Sequence, residues 1–316
     1  MKPIVALNSA TQASAFCEEA RQMLLHAGFE LRCNPGIRPT PDQLKEMVAG
    51  AYAIVAGTEK YTADVLEAAD QLKVIIRFGV GTDNLDLAAL REKGVQVGVI
   101  TNYNAVAEFA LTLILSAMKN LPRFDTAARD GKWSRFPMRE LTGKTVGLVG
   151  FGRIGQRLAE LLQGFGTEIL AYDPYMNTKA AEERKVQPVS MEELLARADI
   201  VSLHLPATAE THHLINAQTI SRMKDGAYLI NTARGSLVDE AALYDALVSG
   251  KLSGAALDVF EKEPVTADNP LFGLPNIVVA PHVSALSYET NYNGSLICAE
   301  SIIRVLQGEA PLYPLW

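Results

Sequence analysis

Short apolar runs alternate with segments of helical spacing along all 316 residues, and the alternation falls into two blocks. In the first block, residues 4–7, 30–33, 53–56, 74–77 and 95–99 read as strands. Helices are predicted over residues 12–26 and 41–48, after Thr62 and after Asp86. Strands separated by helices pair in parallel, so the block reads as a small α/β unit. The second block repeats the pattern with strands at 145–149, 168–172, 200–204, 227–231, 254–259 and 276–280. Six such strands match a Rossmann count. Its helices are predicted from near Arg153, from Ser190 with a Ser190-x-x-Glu193 capping box, from Asn216 and from Asp239.

Between the blocks, Asn104 reads as a helix cap. It opens a run in which Phe109, Leu111, Leu113, Ile114 and Leu115 face several directions, as in a helix buried on most sides, either between domains or in a subunit interface. Residues 129–140, with Trp133, are polar with interspersed aromatics and are expected on the surface or against a partner subunit. After His282 the pattern holds no further strand. An amphipathic run through Leu296, Ile297, Ile302, Ile303 and Leu306 could return to the first block. The expected architecture is therefore two doubly wound parallel-sheet domains. A Rossmann domain over 102–284 is inserted into a flavodoxin-like substrate domain made of 1–101 and 285–316.

The stretch after the first strand of the second block carries the most specific chemistry. Gly150, Gly152 and Gly155 stand at G-x-G-x-x-G spacing, with Arg153 and Ile154 opening the helix. Such glycines allow a tight turn, a close approach of backbone to a pyrophosphate, and close packing of helix on strand. Asp173 ends the next strand, where an acid would accept hydrogen bonds from ribose hydroxyls and repel a 2′-phosphate, which favours NAD over NADP. The first block has its own glycine loop, Phe78-Gly79-Val80-Gly81-Thr82, after its fourth strand. It either offers backbone amides to a carboxylate or is a plain flexible turn.

A net charge of −7 without a basic run argues against nucleic acid and against an anionic membrane surface as partners. Three scattered cysteines, Cys17, Cys33 and Cys298, indicate neither a disulfide framework nor a zinc ribbon and fit a reducing cytoplasm. The opening residues run straight into a strand-like segment with no signal region, and the oiliest helix is too short to span a bilayer. His212 and His213 are adjacent and so are expected to point apart; with His26 and His204 they form no ligand spacing, and no metal is expected.

Arg234, Glu263 and His282 fall just past the carboxyl ends of the last three strands, which puts them on the rim where the glycine loop puts a dinucleotide. Arg can grip a carboxylate with two prongs, His can pass a proton near neutral pH, and Glu can orient the imidazole and favour its charged form.

With these residues in place, the chain resembles the D-isomer-specific 2-hydroxyacid dehydrogenases nearly end to end. The carriers are 150–155, 231–235, 256–264 and Pro281-His282. The resemblance implies NAD as cofactor and an oxidoreductase that interconverts a 2-oxo acid and a D-2-hydroxy acid. It implies that Arg234 binds the substrate carboxylate and carbonyl, that His282 is the acid/base and that Glu263 is its partner. Asp258 and Thr232, beside Ala233, would lie by the nicotinamide, and His204 and Pro206 would line the adenosine side. Val80 and Gly81 match a loop offering amides to the substrate carboxylate. It also supports a homodimer through 104–140. The chain departs from the family at Val283-Ser284-Ala285-Leu286, where glycines and a threonine are common. Lys60 and Arg77 are candidates for a distal anionic group but read as solvated surface charges. Rival readings are a dinucleotide-sensing co-repressor-like protein and a formate or phosphite dehydrogenase on the same architecture.

Overall fold

The computed structural model describes residues 2–8, 15–36, 38–100 and 103–316. The chain divides into two units, one of Met1–Asn102 with Leu286–Trp316 and one of Tyr103–Ala285.

In the first unit, β1 (Ile4–Leu7), β2 (Glu30–Cys33), β3 (Ala51–Ala56), β4 (Val74–Arg77) and β5 (Gln96–Val99) form one parallel sheet. Their order, β2-β1-β3-β4-β5, is the flavodoxin-like one. Side chains alternate between its faces: Val5, Leu7, Ala53 and Val55 enter one buried cluster, Ala6, Ile54 and Ala56 the other. The first cluster is closed by the helix Tyr288–Leu306, which buries Cys298, Ala299, Ile302 and Val305 there and so completes the unit from the far end of the chain. Beyond it, the Val99 amide donates to Tyr313 O and the Leu315 amide to Val97 O, so the last residues cover the exposed edge of β5.

Of the predicted helix over 12–26, residues 12–14 lie outside the described residues; Ala15 is helical, the run is interrupted at Phe16 and Cys17, and a helix spans Glu18–His26 with Cys17 in extended conformation at its N-cap. Thr40 and Asp86 cap the helices that follow them by accepting from the amides of Gln43 and Ala89.

The second unit holds seven parallel strands, one more than predicted: β6 (Thr145–Val149), β7 (Glu168–Tyr172), β8 (Gln187–Pro188), β9 (Ile200–Leu203), β10 (Ala227–Asn231), β11 (Leu252–Leu257) and β12 (Ile277–Val279). They are ordered β12-β11-β10-β9-β6-β7-β8, a Rossmann sheet with one further strand beyond the usual six. The unpredicted strand β8 is two residues long and half proline, too short for any periodicity. Ser190 accepts from the Glu193 amide as expected, but the Glu193 carboxylate pairs with Arg197 instead of reaching back, so the capping box is only half made.

The helix Tyr103–Lys119 includes Asn104 in its first turn and not as its cap. It buries Leu113 and Ile114 in the Rossmann core and keeps Phe109, Leu111 and Leu115 partly buried against it. At Asn120, which takes a left-handed conformation (φ 51°), the chain turns by 63° into a second helix, Leu121–Arg129, that the sequence pattern did not separate from its surroundings. No single described helix is long and apolar enough to cross a membrane; these two reach that length only together, through the bend.

Candidate active site

The glycine loop joins β6 to the helix Arg153–Leu162. Gly152 is the N-cap of that helix, with no side chain capping its first-turn amides, so the amides and the helix dipole are available to an anion. Gly150 sits at φ +100° with its amide donating to Tyr172 O at 2.8 Å, and a Cβ there would stand 2.6 Å from His204 O. A Cβ on Gly155 would run into the Gly150 carbonyl. Helix, loop and the segment after β9 therefore touch through backbone alone. Arg153 is exposed beside the loop and Ile154 is partly buried under it.

Asp173 directly follows β7 next to this loop. Its Oδ2 accepts from the Phe151 amide at 2.7 Å and its Oδ1 from the Tyr175 amide at 2.8 Å. The carboxylate thus ties the glycine loop to the neighbouring strand, while the remaining lone pair on each oxygen is open to a further donor.

His204 follows β9, its Nε2 2.9 Å from Ser202 Oγ and its Nδ1 buried without a partner. Burial pushes its pKa down to about 4, so the ring is neutral at physiological pH. Thr232 Oγ1, after β10, is also buried without a partner. Two orphaned polar atoms and a glycine cradle on one rim fit a dinucleotide that brings its own donors and acceptors. Pro206 belongs to the same segment as His204, and its carbonyl accepts from Thr211 Oγ1.

Arg234, Glu263 and His282 follow β10, β11 and β12, which are neighbours in the parallel sheet, so all three start from the same edge. Asn231, fully buried at the end of β10, shapes the first loop: its Oδ1 accepts from the Ala233 amide at 3.0 Å and its Nδ2 donates to Arg234 O at 2.8 Å. His282 Nδ1 lies 2.7 Å from Glu263 Oε2, and Glu263 Oε1 accepts from the Phe260 amide at 3.1 Å. Partial burial works to raise the Glu263 pKa. The hydrogen bond and charge of His282, the Phe260 amide and the charge of Arg234 outweigh it and hold the carboxyl below its ordinary range. With Nδ1 engaged by the carboxylate, Nε2 is the ring atom left to face a reactant.

Asp258 is fully buried at the end of β11. Its carboxylate oxygens accept from the Val283 and Ser284 amides at 2.8 and 2.9 Å, and its carbonyl accepts from the His282 amide at 2.7 Å. It therefore holds the turn in which His282 takes φ 56°. Val283 and Ser284 take part here through their main-chain amides, which any residue but proline supplies.

Val80 and Gly81 lie in the first unit on the loop after β4, and Val80 is exposed. Arg77 departs from expectation. It is 7% exposed and donates from Nη1 to Phe78 O at 2.5 Å, so it braces the start of this loop rather than standing in solvent; Lys60 is exposed. His212 and His213 also depart from it: their rings stack at 4.0 Å, because His213 adopts φ 48° and folds back onto its neighbour. Among the described residues no group of His, Cys, Asp and Glu is arranged to hold a metal ion. Asn231, and the part Asp258 plays in holding the turn, escape the sequence reading. The available signal was that both are polar residues at the buried ends of apolar strands.

The chain is similar to known proteins over most of its length. Residues 111–284 match the D-isomer specific 2-hydroxyacid dehydrogenase NAD binding domain. The chain is 39% identical over 300 residues to a D-3-phosphoglycerate dehydrogenase of Archaeoglobus fulgidus, covering 94% of this chain and 57% of the relative. It is 40% identical over 295 residues to a hydroxypyruvate reductase of Thermotoga maritima, covering 92% and 95%. A crystal structure of a Thermus thermophilus protein superposes with a TM-score of 0.90 at 34% identity, covering 99% of this chain and all of the other. The chain thus spans about half the length of the phosphoglycerate dehydrogenases it matches and nearly all of the hydroxypyruvate reductase. On fold, glycine loop and relatives alike, the chain belongs to the D-isomer specific 2-hydroxyacid dehydrogenase family, and its Rossmann unit is that family's NAD-binding domain.

Proposed function

We propose that the protein reduces a small 2-oxo acid to the D-2-hydroxy acid, and runs the reverse oxidation, with His282 as the acid/base. The observation that carries this reading is the 2.7 Å pair between His282 Nδ1 and Glu263 Oε2 on the rim beside the glycine loop. When held at the glycine loop, NADH would supply hydride chemistry for the carbonyl carbon. The protonated His282 gives the substrate oxygen its proton from Nε2, and Glu263 holds the ring in that orientation. Arg234 grips the substrate carboxylate, and its charge favours the developing alkoxide. By the family resemblance, Val80 and Gly81 are the residues of the first unit that would offer amides to a substrate carboxylate. In the cofactor site Gly150, Gly152, Arg153, Ile154 and Gly155 seat the pyrophosphate, Asp173 the ribose, His204 and Pro206 the adenosine side, and Thr232, Ala233 and Asp258 the nicotinamide. Asp173 selects NAD over NADP, since its carboxylate would repel a 2′-phosphate.

The test is turnover of NADH with glyoxylate, pyruvate, hydroxypyruvate and 3-phosphohydroxypyruvate. Reduction of any of them, abolished in His282→Ala, supports the assignment. NADH binding without turnover would favour a purely dinucleotide-sensing protein, and turnover of formate or phosphite with NAD alone would favour the third reading. The three cysteines are unpaired, which suits a cytoplasmic location.

The same reading makes the protein a homodimer through residues 104–140. The helix Leu121–Arg129 buries none of its residues, Trp133 is 89% exposed, and Phe124 stacks on Phe136 at 4.2 Å with Arg123 over the latter ring. Such an extension packs on itself rather than on a core and leaves apolar surface for a partner. Light scattering at micromolar concentration checks it, and a monomer refutes it.

A further inference from the structure

The segments after β9, β10 and β11 are laced together beyond the reacting rim, and the knot is Glu261. Its Oε1 lies 2.8 Å from His213 Nε2, on the segment after β9. The same oxygen accepts from the Glu240 amide at 3.2 Å, at the first residue of the helix Glu240–Val248 that follows the Arg234 loop. In return the Glu261 amide donates to Glu240 Oε1 at 2.8 Å, and Glu240 Oε2 accepts from Asn269 Nδ2 at 2.9 Å. His213 is fixed on its other sides. Its amide donates to Ser236 O at 2.8 Å, its carbonyl accepts from Asn216 Nδ2 at 2.9 Å, and its ring stacks on His212. Below the knot, Gly235 lies so close to the Phe260 backbone that a Cβ on it would overlap the Phe260 carbonyl.

This lacing has a direct line to the acid–base pair. Glu261 stands between Phe260, whose amide binds Glu263 Oε1, and Glu263 itself, whose other oxygen meets His282. Residues 261–263 form a short exposed bend leaving the buried Phe260, the kind of segment that drifts unless something outside it fixes it. A partly exposed side-chain contact of this kind contributes little to overall stability. Its placement matters more, because a displacement of about 1 Å at a reacting group costs on the order of a hundredfold in rate.

We infer that Glu261 and His213 are positioning residues for proton transfer: by tying the 261–263 bend to the segment after β9 and to the helix after the Arg234 loop, they hold Glu263 in register with His282. The inference rests on the acid–base reading of Glu263 and His282. It is tested by steady-state reduction of hydroxypyruvate, or of glyoxylate where that is turned over faster, with NADH affinity measured separately by fluorescence titration.

Glu261→Ala is expected to lower kcat about tenfold to a hundredfold with NADH affinity unchanged. Glu261→Gln, which keeps an acceptor for the Glu240 amide and for a His213 N–H, should recover most of that loss. His213→Ala, at the other end of the pair, should move kcat in the same direction and keeps the test open if Glu261→Ala fails to fold. In a Glu263→Gln background, Glu261→Ala should cost less than about twofold more, because both act through one contact. The inference is overturned if Glu261→Ala and His213→Ala leave kcat unchanged, if their losses multiply with that of Glu263→Gln, or if NADH affinity falls by the same factor as kcat. Glu263→Gln with wild-type kcat and pH profile would overturn the acid–base reading itself, and this inference with it.

Discussion

Asparagine at position 258 keeps the volume of the aspartate and removes its charge, so it isolates what the carboxylate does for the turn that carries His282. Asp258 is fully buried, with its two oxygens 2.8 and 2.9 Å from the amides of Val283 and Ser284. Hydrogen bonds to a charged group are each worth about 1.5–3 kcal/mol. The asparagine oxygen can keep one of them. Its NH2 group then faces the other amide, donor against donor, leaving a buried N–H unsatisfied at a cost of about 1–3 kcal/mol. Sparing the desolvation of a buried charge returns part of this. The net loss is expected near the middle of that range, against a typical total stability of about 5–15 kcal/mol, so the variant still folds. Asp258→Ala loses both bonds and should cost about twice as much. The rate should suffer more than the stability. His282 sits at φ 56°, a conformation non-glycine residues seldom take, and the main-chain bond from its amide to Asp258 O is then left to hold it. Urea unfolding reads the stability loss, and kcat with a 2-oxo acid should fall by an order of magnitude or more. An Asp258→Asn variant with a wild-type urea midpoint and wild-type kcat would refute the reasoning. A loss confined to NADH affinity would assign the carboxylate to the cofactor instead of the turn.

His282→Ala should lower kcat by about a hundredfold to ten-thousandfold with NADH binding preserved; near-normal kcat would remove His282 from the chemistry. For Glu263 the folded-state pKa is depressed, so its contribution is full above the ordinary carboxylate value and fades only as pH falls through the lower folded value. Activity should therefore hold at pH values where a free carboxylate would already be protonated, and Glu263→Gln should change the acid side of the pH profile. His204, held at about 4 by burial against an ordinary 6.5, leaves the folded protein with fewer bound protons than the unfolded chain between those values. Stability from this source is full above pH 6.5 and is lost as pH falls toward 4, so wild type should lose more stability than His204→Asn between pH 7 and pH 5 in urea unfolding. Asp173→Ala should narrow the preference for NAD over NADP and loosen the glycine loop, since the Phe151 and Tyr175 amides lose their acceptor; an unchanged ratio of kcat/KM values would remove the side chain from cofactor selection.

The parallel sheets and the rim were legible because they rest on short-range signals. Apolar runs set the strands, a glycine spacing set the loop, and the ends of β10, β11 and β12 set where Arg234, Glu263 and His282 begin. What escaped depends on partners far apart in sequence or on backbone that no periodicity reports. The stacking of His212 on His213 needs a left-handed φ at His213, and the separation of the helix Leu121–Arg129 needs another at Asn120. Arg77 was misplaced because a charged residue at a strand end looks the same whether it points to water or curls back onto Phe78 O. Strand β8 is held by its pairing with β7, which only the folded sheet supplies.

A common device runs through the site. Asp173 takes the Phe151 and Tyr175 amides, Asp258 those of Val283 and Ser284, Glu261 that of Glu240 and Glu263 that of Phe260. Each acid catches main-chain donors in the segments that follow the strands, where amides at turns and at a helix start lack ladder or helix partners. A charged acceptor makes each of these bonds stronger than a neutral one. Loop shape is thereby fixed by the acids and by backbone, and it does not depend on which side chains fill the loops between them. That independence accounts for how the chain can carry Val283-Ser284 after His282 and still present the imidazole to Glu263. It also concentrates vulnerability: single substitutions at Asp173, Asp258, Glu261 or Glu263 should disturb the site more than substitutions among the residues that their carboxylates hold in place.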